Sequence, residues 1–333
     1  MTDKHTPADE TSTPASSTHD ATSAENGATA LPPKPKNNTG KYVAIGAGVL
    51  VVALAAGFGI KAFTGSDDEK LTKITVGTTE ASDPYWTELV KVGKEKYGLD
   101  IQPVNFTDYT QANPALSQGQ VDVNQFQHLQ FLADYNAAKN DTLTPVGSTY
   151  IVPLSLYSKK HTTVNEFADG GKVAIPNDAT NQARALLLLQ SAGLLTLKGG
   201  GNSLSTPAEI DAAKSKVGVT PVDAAQTAAA LPSVEGAVVN NNFAADANLD
   251  PSKALFKDDP KAKSSEPYIN VIVARKKDAD NPTYAKFVQA YHEKSVQDLI
   301  SKRTKGTQYE VKRSVADVRG ILTRIESQIK AKK

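Results

Sequence analysis

The run KVAIPNDATNQARALLLLQSAGLLTL, residues 172–197, decides how the chain is read. Residues 172–175 form a short apolar run that suits a buried strand. Pro176, Asn177 and Asp178 carry turn chemistry: Pro fixes φ, and the two side chains bond their own backbone. A helix follows, with Thr180 or Asn181 as its cap and no breaker before Gly193. That start places Arg184 in the first turn. Free N–H groups and the positive dipole end at a helix start, joined by a guanidinium, make a place for a carboxylate or a phosphate. An Arg that merely bridges a surface acid fits the same spacing equally well.

Composition bounds what surrounds this unit. A chain of 333 residues holds one large or two medium domains. Lys+Arg 37 against Asp+Glu 36 shows no basic excess, so a nucleic-acid partner is not expected. Cys is absent, which excludes disulfides, thiol catalysis and Cys-ligated metal. No G-x-S-x-G elbow, Walker loop, G-x-G-x-x-G helix start or H-E-x-x-H pair occurs. The expectation is a protein that is not an enzyme and needs no cofactor or metal.

Residues 1–41 are a polar tract of Thr, Ser, Ala, Pro and charged residues, expected to be a disordered cytoplasmic tail. Residues 42–60, YVAIGAGVLVVALAAGFGI, carry no charge. About 19 residues at helical rise just span the hydrocarbon core, so they read as a transmembrane anchor. A signal peptide is the rival reading, disfavoured by the long polar tract ahead of it and the lack of an A-x-A site. Lys34, Lys36 and Lys41 precede the run, while Asp67, Asp68 and Glu69 follow it. The positive-inside rule then puts the N-terminus in the cytoplasm and the rest of a single-pass protein outside. Residues 61–71 read as a linker.

Beyond lies a module of about 260 residues, large enough for two lobes. Strands are expected at 73–76, 101–105, 121–124, 151–157, 172–175, 217–221, 236–239 and 269–274. Helices are expected at 84–97, 128–139, 181–192, 207–216, 283–301 and 314–333, the last capped by Ser314. This alternation indicates an α/β fold with largely parallel sheets. Ligands of such sheets sit at the carboxyl ends of strands. Three junctions there carry residues beyond ordinary turn chemistry. FTDYTQANPAL (106–116) offers Tyr109 as a pocket wall. DVNQFQHLQFL (122–132) offers Phe126, His128 and Phe131, although a lone His is more often structural. GAVVNNNFA (236–244) offers Asn240, Asn241 and Asn242, whose amides both donate and accept.

These segments, with the Pro-Asn-Asp turn and Arg helix of 175–186, occur in the order found in the NlpA-type methionine-binding lipoproteins, and residues 73–333 resemble that family. Its members are substrate-binding subunits of methionine ABC importers. The resemblance implies a two-lobed periplasmic-binding-protein fold of type II, with lobe 1 at 72–157 and 267–333 and lobe 2 at 158–266. It implies L-methionine as ligand, with permease and ATPase subunits as partners. It also implies that Arg184 pairs the substrate carboxylate. Asn181, Asn240 and Asn242 would hold the α-amino and carboxylate groups, and Tyr109, Phe126, His128 and Phe131 would line the side-chain pocket. This chain departs from the family at Gln125, Gln130, Phe131 and Phe243, where Tyr, Pro, Tyr and Tyr are usual. It also lacks the lipidated Cys, a role that residues 42–60 would take over. D-Methionine, methionine sulfoxide and a methionine-containing dipeptide are the alternative ligands. A small-molecule enzyme on a similar fold is the alternative class.

Overall fold

A computed structural model describes residues 71–332. The expected tail and the expected anchor at 42–60 lie outside the described residues. Among the described residues, no helix is long and apolar enough to cross a membrane.

The chain opens with β1 (Thr72–Thr78), α1 (Tyr85–Tyr97), β2 (Leu99–Asn105), α2 (Tyr109–Ser117), β3 (Val123–His128), α3 (Leu129–Lys139) and β4 (Thr144–Ser148). Two short strands follow, β5 (Tyr150–Ile151) and β6 (Ser155–Tyr157). Then come β7 (Gly171–Pro176), α4 (Ala179–Ser191), β8 (Val217–Val222), α5 (Thr227–Ala230), β9 (Gly236–Val239), α6 (Asn241–Asp246) and β10 (Phe256–Lys257). The chain ends with β11 (Asn270–Ala274), α7 (Pro282–Tyr291), α8 (Lys294–Arg303), β12 (Tyr309–Glu310) and α9 (Val315–Lys330).

The long strands form two five-stranded sheets, ordered β2-β1-β3-β11-β4 and β10-β6-β9-β7-β8. Each is mixed rather than largely parallel. β1 pairs in parallel with β2 and β3, whereas β11 runs antiparallel to β3 and β4. In the second sheet β7 pairs in parallel with β8 and β9, and β6 is antiparallel to β9 and β10. The antiparallel members are the strands at which the chain changes sheet. Segment 155–157, expected with the first half, pairs in the second sheet. The crossing therefore falls between Ile151 and Ser155, and the return between Lys257 and Asn270.

Apolar periodicity explains most of this. On one face of the first sheet Ile74, Val76, Ile101 and Ile272 pack against Trp86 and Leu89 of α1 and Phe287 and Tyr291 of α7. In the second sheet Val173, Ile175 and Val238 meet Leu186 and Leu189 of α4. Gly98 ends α1 in the left-handed region at φ 65°, where a side chain would be strained, and turns the chain directly into β2. As expected, the Ser314 side chain caps α9 by accepting from the Asp317 N–H.

Two expected helices came out differently, and one expected loop is a helix. The 207–216 segment is two 3₁₀ turns, Pro207–Glu209 and Ala212–Lys214, because the Thr206–Glu209 capping box closes a single turn. After it the Ser215 hydroxyl bonds back to the Asp211 carbonyl at 2.7 Å. The 283–301 helix breaks at His292, whose ring is held by Glu310 at 2.6 Å and by the Ser148 carbonyl at 2.9 Å. Segment 109–117, where Asp108 and Asn113 read as loop formers, is helical behind an Asp108 cap.

Candidate functional site

A cavity is lined by residues from both sheet-bearing halves of the chain, and every candidate site residue lines it. Tyr109, Phe126, His128 and Phe131 come from the first half: the start of α2, the end of β3 and the first turn of α3. Asn181 and Arg184 come from α4, and Asn240 and Asn242 from the junction of β9 and α6.

The rings form one wall. Tyr109, Phe126 and Phe131 have centroids 5.7–6.1 Å apart; Phe131 meets the other two edge-to-face, the packing that aromatic quadrupoles favour, and Tyr109 and Phe126 are tilted at 35°. Phe243 adds a fourth ring 5.1 Å from Tyr109. Such a wall suits an apolar or thioether side chain.

The polar wall is a chain of fixed orientations. The cap of α4 is Asp178, not Thr180 or Asn181, and its carboxylate accepts from the Asn181 N–H at 2.9 Å. It also accepts from Asn181 Nδ2 at 2.9 Å. A carboxylate can only accept, so the Asn181 Oδ1 must face the other way. There it takes a hydrogen bond from Asn240 Nδ2 at 3.0 Å and meets His128 Nε2 at 3.3 Å. His128 Nδ1 accepts from the Phe131 N–H at 3.1 Å, which puts the ring proton on Nε2 as donor to Asn181. Burial first, and the Arg184 charge second, hold the His128 pKa down at about 3, so the ring is neutral. Burial raises the pKa of Asp178 above the usual range.

Two amide atoms in this wall are buried with no hydrogen bond among the described residues: Asn240 Oδ1, an acceptor, and Asn242 Nδ2, a donor. The Asn242 Oδ1 is taken by the Tyr109 hydroxyl, which donates at 2.5 Å. An unpaired acceptor beside an unpaired donor complements a group carrying both an ammonium and a carboxylate.

Arg184 differs from expectation. With Asp178 as cap it falls in the second turn of α4. The dipole end that was to share its anion is filled by the protein's own carboxylate. The guanidinium is 5% exposed, and Nε and Nη2 donate to Asp258 at 2.7 and 3.1 Å. Nη2 also donates to the Val152 carbonyl at 2.9 Å, and the Tyr268 ring lies 4.1 Å from Cζ. Nη1 makes no hydrogen bond among the described residues.

Sequence reasoning missed Glu80, Tyr150, Asn270 and Gln308, which also line the cavity. None sits in a motif; the sheet order alone brings them there. Among the described residues, no group of His, Cys, Asp and Glu is arranged to hold a metal ion.

This arrangement, a cavity whose polar and aromatic linings draw on both α/β halves, is shared in fold with substrate-binding proteins. The substrate-binding protein of a methionine transporter from Streptococcus pneumoniae superposes with a TM-score of 0.66 at 38% identity, covering 72% of this chain and 95% of that one. A nutrient-binding protein from Burkholderia cenocepacia, solved bound to methionine, superposes at 0.65 with 38% identity over 71% of this chain and 99% of that one. The chain belongs to the NlpA lipoprotein family, whose model matches residues 74–312. A probable D-methionine-binding lipoprotein from Haemophilus influenzae is 41% identical over 236 residues, 70% of this chain and 85% of that protein. These relatives are named as binding and transport proteins rather than enzymes, as the sequence reading expected for this chain.

Proposed function

We propose that the chain is the extracytoplasmic binding protein of a methionine ABC importer. It captures L-methionine between two lobes, one on each sheet, and delivers it to the permease and ATPase subunits. The observation that carries this reading is the cavity itself, where a partly committed guanidinium and two unpaired amide atoms face a wall of rings. Arg184 and Asn242 offer donors to the carboxylate, and Asn240 Oδ1 accepts from the ammonium. The thioether packs among Tyr109, Phe126 and Phe131, with neutral His128 bounding the pocket. A ligand that bridges both lobes favours the closed arrangement over an open one. The names carried by the relatives favour D-methionine as the second reading.

Calorimetry with each enantiomer, together with mass spectrometry of small molecules released on denaturation, tests the assignment. Methionine should be released, and at least one enantiomer should bind at one site per chain. A folded protein that gives no heat with either would sink the reading. Phe126→Ala should weaken binding by roughly 1–3 kcal/mol through lost apolar burial. Norleucine, which keeps the shape without the sulfur, should retain part of the affinity. If folded Phe126→Ala binds like the parent, the ring wall is not the side-chain pocket.

We propose further that residues 42–60 tether this module to the outer face of the membrane. Support comes from the charge-free run and its flanking lysines. The relatives are named lipoproteins, and the 333 residues here contain no Cys to carry a lipid. Protease added to protoplasts should digest the module and spare the tail. The reverse pattern would invert the topology, and a mature protein starting beyond residue 59 would make the run a signal peptide.

A further inference from the structure

The charges around the cavity are few. Among the described residues, Glu80 is the single acid that lines it, and Arg184 is the single Lys or Arg. They come from opposite halves. Glu80 follows the carboxyl end of β1, the end at which open α/β sheets receive ligands, whereas Arg184 stands on α4. The Glu80 backbone N–H is fixed by the Thr78 hydroxyl at 3.2 Å. Its Oε2 accepts from the Tyr85 hydroxyl at 3.2 Å, and its Oε1 makes no hydrogen bond among the described residues. The guanidinium of Arg184 is already balanced by Asp258. Glu80 has no such partner, because the nearby Arg303 is spent on Asp83 at 2.9 Å and Asp246 at 2.6 Å.

We propose that Glu80 is the counter-charge for the α-ammonium of the bound amino acid, so that the site selects a free amino group as well as a side chain. This rests on the amino-acid-binding reading above and adds a residue to it. Asn240 Oδ1 supplies a neutral acceptor for the same group, and Glu80 supplies the charge.

The surroundings give the interaction a signature. Burial first, and then the Asp83 carboxylate with a lesser effect of Asp246, push Glu80 up to about 8, against the opposing effects of the Tyr85 hydrogen bond and Arg303. The other titratable groups that feel its charge are Tyr109 of α2, Tyr150 of β5 and Tyr291 of α7, all held well above the usual range, first by burial. Glu80 therefore carries its proton at neutral pH. An arriving ammonium favours the carboxylate, and the proton leaves to solvent as the ion pair forms.

Calorimetry of the full chain with methionine in phosphate and Tris buffers counts that proton. Near pH 7 the parent should release close to one proton per ligand, and its affinity should rise up to about tenfold per unit between pH 6 and 8. Glu80→Gln should release none, show a flat profile, and bind at least about tenfold more weakly than the parent at pH 8. N-acetylmethionine should bind the parent poorly, and its deficit should shrink in the variant. Methionine binding by the parent without proton release overturns the Glu80 assignment while leaving the ligand in place. So does a folded Glu80→Gln protein that keeps both the release and the affinity. A parent that binds no methionine overturns both assignments.

Discussion

Arg184→Ala should weaken methionine binding by roughly 2–5 kcal/mol, the usual effect of removing one partner of a desolvated, hydrogen-bonded charge pair. The side chain does two things at once. Its Nε and Nη2 tie α4 to Asp258 and to the Val152 carbonyl, one in each of the two chain crossings between sheets. That leaves Nη1 for the ligand carboxylate, on a fork that is already aimed. Lysine presents one point charge and cannot hold Asp258, Val152 and a carboxylate together, so Arg184→Lys should also be impaired, though less. Loss of affinity alone does not separate anchoring from loosened structure, but the carboxyl amide of methionine does. It should bind the parent poorly, and the penalty should shrink in Arg184→Ala. If the amide matches the free acid in the parent, the guanidinium is structural and the anchor lies among Asn240, Asn241 and Asn242.

A second large effect concerns acid. In the folded protein His128 titrates near pH 3, against about 6.5 for an unperturbed ring. Between those values the unfolded chain binds a proton that the folded one refuses. His128 therefore costs nothing above pH 6.5 and destabilises increasingly below it, by about 1.4 kcal/mol per pH unit. Glu80 acts oppositely: its raised pKa makes the folded state the better proton binder between about 4.5 and 8, so its contribution is lost as pH rises through that window. Comparing variants at each pH isolates the histidine. His128→Gln keeps a donor for Asn181 and an acceptor for the Phe131 N–H. Relative to the parent it should gain up to about 3 kcal/mol in denaturant unfolding between pH 7 and pH 4. Parallel stability curves for the two proteins would show that the ring protonates freely in the folded state.

Much of this was legible in the sequence, and the reasons are specific. The strand, turn and helix of 172–191 announce themselves because an apolar run, turn chemistry and an apolar helix face follow without interruption. Residues at strand ends converge because parallel β-α units place their carboxyl ends along one edge, so Tyr109, Phe126, His128 and the Asn240–Asn242 run, singled out in the sequence, line one cavity. Details that depend on distant partners were not legible. Asp178, Thr180 and Asn181 are all competent caps, and tertiary packing chose among them. Asp258 lies 74 residues from Arg184, with no local signal linking them. Glu80 stands in a loop whose sequence resembles any other turn. The break at His292 depends on Glu310 and Ser148, on separate strands.

The amide of Asn181 has a consequence for how a ligand is oriented. Asp178 fixes one end of that amide, Asn181 then fixes Asn240, and Asn240 is left presenting oxygen to the cavity. A symmetric-looking asparagine thus becomes a polarised contact whose sense is set two hydrogen bonds away, at Asp178. A zwitterion inserted backwards would bring its carboxylate against that oxygen and its ammonium against the guanidinium, two repulsions in place of two attractions. On the proposed reading the cavity selects the direction of its occupant as well as its size.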